Sequence, residues 1–118
     1  MATPAELLDR ARQRWNAGDL PGYLQLYAED LRFHGLQPDP MDKASLAAFY
    51  EQFWSAMSAP GRPNPQMDFQ ERLVDGDLFS CRFAVSGVHR GDFMGVPATG
   101  RCFPRLEMWS AVVCLCQM

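Results

Sequence analysis

Four side chains have the types and settings for proton transfer: His34, His89, Asp92 and Glu107. Removing a proton beside a carbonyl needs a base near that carbon, a donor for the developing oxyanion, and exclusion of water. An imidazole titrates close to neutrality and can fill either role. A buried carboxyl or imidazole kept neutral can also donate. His34 stands in RFHG on an expected strand, where it is either a base or donor, or a half-exposed residue capping a neighbouring carbonyl. His89 ends the row Phe79, Cys81, Phe83, Val85, either as a catalyst or as the anchor of the loop that follows. Asp92 lies in that loop as a base or a loop cap, and Glu107 is a base if its strand faces a pocket. Tyr27, Phe49, Phe53, Trp54, Phe93, Met94 and Trp109 are candidates to line a pocket for a small apolar or aromatic ligand; the alternative for each is plain core. Arg82, on the strand face opposite His89, reads as a surface or interface ion pair rather than a substrate clamp.

The elements that must carry these residues follow from periodicity. Pro4 and the spacing of Leu8, Ala11 and Trp15 predict a helix over 4–17, stopped by Gly18. Asp19 is the expected cap of a second helix, 20–28, with Leu20, Leu24 and Tyr27 as its apolar stripe. Leu31–Leu36 alternates as a short strand, Leu31 and Phe33 on one face, Arg32, His34 and Leu36 on the other. After QPDP, Asp42 or Ser45 caps a third helix to about Ser58, with Leu46, Phe49, Phe53 and Met57 on one face and Tyr50 beside them. APGRPNP is a surface link. Met67, Phe69, Glu71 and Leu73 then alternate with Asp68, Gln70, Arg72 and Val74, and Asp75-Gly76-Asp77 turns the chain into a strand over 78–90. GDFMGVPATG is longer than the roughly two to five residues of a plain hairpin loop and carries Phe93 and Met94, as a pocket rim would. Helices followed by a run of antiparallel strands predict an α+β fold.

The 118 residues are enough for one domain with one core, and 47% of them are hydrophobic. The net charge of −3 with scattered Lys and Arg argues against nucleic acid as a partner. No apolar run approaches the roughly 18–20 residues of a membrane span, and MATPAELLDRARQRW has no signal-peptide core, so a cytoplasmic protein with no membrane partner is expected. Cys81, Cys102, Cys114 and Cys116 lack the spacing of a zinc site; small buried hydrophobes are expected, and no metal. No Gly-rich phosphate loop follows a strand, so no nucleotide cofactor is expected. No Gly-x-Ser-x-Gly elbow is present, which disfavours a covalent hydrolase.

The helical hairpin, RFHG, KASLAAFYEQFWSAM, the DGD turn and above all VHRGDFMGVPATGR together resemble the SnoaL-like polyketide cyclases (ester cyclases) of the nuclear-transport-factor-2-like superfamily. The segment His89–Arg101 is similar to the family pattern His-x-Gly-(Glu/Asp)-Phe-x-Gly-(Ile/Val)-Pro-x-Thr-Gly-Arg. The resemblance, over residues 5–101, implies a cone-shaped α+β barrel with a curved antiparallel sheet around the N-terminal helices. It also implies an apolar pocket, a homodimer or homotetramer packed through the sheet, and cofactor-independent acid–base catalysis. The family's reaction is an intramolecular aldol cyclisation, and relatives isomerise carbonyl compounds. The family carboxylate lies in a pattern like Glu-x-Trp-x-x-x-Asp. Glu107-Met108-Trp109 matches its start, but Val113 stands at the aspartate position. From Arg101 to Trp109 there is also no room for the usual hairpin, so either LEMW begins the last strand or it belongs to the penultimate one. The alternative function is a small-molecule-binding or dimerisation module that has lost the carboxylate.

Overall fold

The computed structural model describes the backbone of residues 3–58 and 64–113, and the side chains of 3–57 and 64–101. Helix α1 spans Pro4–Asn16 and starts in a capping box: the Thr3 hydroxyl accepts from the Glu6 N–H, and the Glu6 carboxylate accepts from the Thr3 N–H, both at 3.2 Å. It ends in a Schellman motif. The Asp19 N–H donates to the Arg14 carbonyl and the Gly18 N–H to the Trp15 carbonyl, with Gly18 at φ 83°.

Helix α2 is Leu20–Leu24, shorter than the expected 20–28. Beyond it the Leu26 and Tyr27 N–H groups donate to carbonyls three residues back, so the chain tightens into turns. Asp19 caps the Gly22 N–H at 2.9 Å, and its carboxylate occupies the space a Gly22 Cβ would need. Helix α3, Lys43–Ala56, is capped by Asp42, which accepts from the Ser45 N–H at 2.8 Å.

The expected strand 31–36 is reduced to a single bridge, in which Phe33 and Met41 exchange two 2.8 Å backbone bonds. Gly35 at φ 108° breaks the alternation, so Phe33 and Leu36 face the same interior rather than opposite sides.

Four strands follow: β1 (Met57–Ser58), β2 (Gln66–Asp75), β3 (Leu78–His89) and β4 (Cys102–Val113). All pairing is antiparallel and runs through β3, which takes β2, β1 and β4. This is the expected α+β arrangement of helices and antiparallel sheet. The sheet is not closed into a barrel, because among the described residues β1, β2 and β4 pair only with β3 and residues 31–41 contribute one bridge.

Two irregularities decide which side chains face inward. Phe69 opposes Phe83, but the next pair is Glu71 with Arg82, so Gln70 is a bulge. Beyond it Arg72 opposes Cys81, which reverses the expected parity of Glu71, Arg72, Leu73 and Val74. On β4 the register slips between Leu106 and Phe103, where Pro104 has no N–H to give to the ladder. The segment LEMW therefore lies within β4, beside β3, and β4 is the last strand among the described residues.

The core joins α1, α2, α3 and the inner face of the sheet through Leu7, Leu8, Trp15, Leu20, Leu46, Met67 and Phe79. A polar clamp fixes the start of β2 against the end of α1. The Asn16 side chain bonds both the N–H and the carbonyl of Met67 (2.7 and 2.8 Å), the Trp15 indole donates to the Pro65 carbonyl (3.0 Å), and buried Asn64 donates to the Trp15 carbonyl (2.8 Å).

Candidate active site

Between the helices and the inner face of the sheet lies a cavity of about 250 Å³. Leu8, Ala11 and Trp15 of α1, Phe49, Tyr50 and Phe53 of α3, and Phe33 and Leu36 form one side. Met67 and Phe69 of β2 with Phe79, Cys81, Phe83 and Val85 of β3 form the other. Trp15 is 1% exposed and meets Tyr23, Tyr50 and Trp54 edge-on, with ring centroids 4.9–5.3 Å apart. Such edge-to-face contacts fix ring orientation as well as bury area.

The polar content of this lining is a cluster of phenols. The hydroxyls of Tyr23 and Tyr27 are 2.6 Å apart, and both interact with that of Tyr50. The chain has three tyrosines, and all three are here. Burial raises each phenol above its ordinary value of 10.0, well above it for Tyr23 and Tyr27, where the charge a neighbouring phenolate would carry adds to the effect. They are neutral donors across the physiological range. Burial likewise pushes the Cys81 thiol up, offset in part by the Arg72 cation, so it is a protonated, poorly nucleophilic group.

The cavity's outer edge is the loop 90–101. The Arg90 and Gly91 N–H groups both donate to the Ala56 carbonyl at the end of α3, at 2.8 and 2.9 Å. A Cβ on Gly91 would lie 3.2 Å from the Ala56 Cα, tighter than an ordinary contact, so glycine eases the close approach. Asp92 accepts from the Ala98 N–H at 3.2 Å, and Met94 and Gly95 (φ 50° and 79°) turn the tip. Phe93 packs on Phe49 and Phe53 at 5.8 and 5.7 Å and completes the lining.

Of the residues singled out in the sequence, Tyr27, Phe49, Phe53 and Phe93 line the cavity. Trp54 instead packs behind Trp15, and Met94 is 72% exposed at the loop tip. His34 is exposed, directly after the Phe33 bridge, and does not reach the lining. His89 sits outside the lining too. Its Nδ1 is 3.2 Å from the Thr99 hydroxyl, at the point where His89 and the 99–101 segment also share backbone bonds. Arg82 forms a 2.9 Å ion pair with Glu71 across the strands.

Glu107 and Trp109 hold β4 positions opposite Ala84 and Arg82, and their side chains lie outside the described residues. The positions opposite the cavity-lining Val85, Phe83, Cys81 and Phe79 are Leu106, Met108, Ser110 and Val112. Val113 pairs with Leu78, next to the DGD turn. Cys114, Cys116 and the 59–63 part of the expected link lie outside the described residues. Among those described, no group of three His, Cys, Asp or Glu is placed to hold a metal, and no helix is long and apolar enough to cross a membrane. Tyr23 and Tyr50 were missed as site residues. Their signal was Tyr23 and Tyr27 four apart, with a third tyrosine on an aromatic helix face.

The family model for SnoaL-like polyketide cyclases matches residues 5–108. The chain belongs to that family. Solved structures of similar fold include AclR, a candidate hydroxylase from Streptomyces galilaeus, at 21% identity and TM-score 0.79, covering 94% of this chain and 78% of its own. A candidate polyketide cyclase from Pseudomonas putida KT2440 shares 25% identity at TM-score 0.76, covering 99% and 86%. IdmH, a candidate polyketide cyclase from Streptomyces antibioticus, shares 25% at TM-score 0.67, covering 93% and 80%. No curated protein matches the chain in sequence.

Proposed function

We propose that this SnoaL-like protein is a cofactor-independent cyclase or isomerase for an apolar, carbonyl-bearing small molecule. The observation that carries the reading is the cluster of neutral phenols in an otherwise apolar cavity. A substrate carbonyl placed against Tyr23 and Tyr27 accepts a hydrogen bond that strengthens as negative charge moves onto its oxygen. In a dry cavity that differential is a large catalytic term. A base removes the proton from the adjacent carbon, and the resulting enolate attacks a second carbonyl of the same molecule. The new C–C bond closes the ring, and the alkoxide formed takes back a proton. Stopping at the enolate and reprotonating elsewhere gives isomerisation. The phenols stay neutral and cannot serve as that base. Glu107, the carboxylate the resemblance offered, pairs with Ala84 on the sheet face away from the cavity lining, so the base is a group outside the described lining.

The second reading, a binding module on a cyclase scaffold, draws on a specific feature. Among the described side chains lining the cavity, none is a carboxylate or an imidazole. An absorbance assay for ring closure of an aromatic polyketide methyl ester separates the two. For the cyclase, Tyr23→Phe with Tyr27→Phe lowers kcat by about 10²-fold with the ester still bound, and Glu107→Gln, at a position on the far face of the sheet, leaves turnover nearly unchanged. Ester binding without turnover in the unmodified protein supports the binding module instead.

A further inference from the structure

The bulge at Gln70 places a charged residue where an alternating strand would have put it on the opposite face. Arg72 opposes Cys81, between Phe69 and Val74, and Val74 opposes Phe79. Phe69, Cys81 and Phe79 all line the cavity, so Arg72 stands on the cavity face of β2 beside its lining. The guanidinium carbon lies 5.1 Å from the centroid of the Phe69 ring, and its charge is close enough to act on the Cys81 thiol. Among the described residues its one hydrogen-bond partner is Asp9 of α1, 2.7 Å away. Asp9 is next to the cavity-lining Leu8 and has a side chain that is 62% exposed.

We propose that Arg72 is an anion subsite at the sheet-side wall of the cavity, which takes a carboxylate of the ligand in place of Asp9. Three features make the exchange favourable. A pair with an exposed partner is weak, because water competes for that partner. A guanidinium has five donors in a planar fork, so it can meet an incoming carboxylate in a bidentate manner. Stacking on Phe69 holds the plane of the guanidinium while its partner changes. Bulges of this kind re-aim a side chain toward a site, and here the shift brings Arg72 rather than Glu71 onto the inner face. The substrate class is thereby narrowed to aromatic molecules that carry a carboxylate as well as the carbonyl held by the phenols. This subsite rests on the functional reading of the cavity given above.

The test is calorimetric binding of a hydroxynaphthoic acid and of its methyl ester near neutral pH, where the acid is ionised. The unmodified protein should prefer the acid, and that preference should weaken with added salt. Arg72→Met should lower affinity for the acid about tenfold and leave the ester nearly unchanged. Arg72→Lys, which keeps the charge without the fork, should fall between. Asp9→Asn, which frees Arg72, should tighten the acid alone. Circular dichroism checks that each variant is folded. An acid-to-ester ratio unchanged in both Arg72→Met and Asp9→Asn overturns the subsite while leaving the cavity reading intact. No binding of either compound overturns both.

Discussion

The cavity has two unlike ends. Around Trp15 the rings of Trp15, Tyr23 and Tyr27 are almost fully buried, the phenols bond one another, and the α1–β2 clamp satisfies its polar atoms within the protein. Around Phe93 the rings are only partly buried. The base of the loop 90–101 is held by backbone bonds to Ala56 and His89, and its further ties are side-chain contacts of Asp92 and Thr99 among exposed groups. Buried and mutually bonded groups gain from a low dielectric, while exposed ones compete with water. The inner end is therefore the more stable part and holds the fixed polar cluster, and the outer end is the more open to solvent.

The sharpest way to break this contrast is Trp15→Ala. It removes a fully buried ring and an indole bond, and should cost about 3–5 kcal/mol in urea unfolding. A loss under about 1 kcal/mol would show that the inner end is not the stability centre. A pH titration examines the same end. The three phenols are raised by burial, so an unfolded chain ionises first as pH rises past 10.0. Their stabilising contribution is complete below that value and is lost as pH climbs toward the folded values. The absorbance change of phenolate at 295 nm should therefore appear together with unfolding rather than before it.

Asn16→Ala, which leaves both polar atoms of Met67 without their side-chain partner, should cost about 1–3 kcal/mol. At the outer end, Thr99→Val removes the hydroxyl facing His89 and accepting from the Arg101 N–H. It should speed hydrogen exchange across 90–101 while changing global stability by less than about 1 kcal/mol. Equal effects of the Asn16 and Thr99 substitutions would erase the distinction between the ends. The smallest expected effect is at Asp42, away from the cavity. Its carboxyl is held below the usual 3.8 by the Ser45 N–H. The cap is at full strength above 3.8 and fades as pH falls through the folded value, so Ser45 amide protection should drop in acid. In Asp42→Asn it should not.

Much of the frame was legible in the sequence because the signals are local. Pro4, Gly18, Asp19 and Asp42 mark helix ends through bonds to neighbours within a few residues, and Asp75-Gly76-Asp77 turns β2 into β3. The spacing of Phe49 and Phe53 and the unusual apolar content of the loop pointed to three of the lining residues, and the apolar stripe of the second helix to a fourth, Tyr27. What misled was alternation carried too far. Gly35 turns Leu36 inward, the Gln70 bulge exchanges Glu71 for Arg72, and His34 is left in solvent.

By itself, then, the sequence determined the order of elements, their caps and the family to which the chain belongs, since periodicity, capping and motif spacing are properties of neighbours along the chain. Only the tertiary structure decided which polar groups share the cavity. Tyr23, Tyr27 and Tyr50 meet through the packing of α2 and its following turn on α3, and Arg72 reaches the inner face through one unpaired residue. A one-residue shift in register costs little locally, yet it exchanges every side chain beyond it between core and solvent.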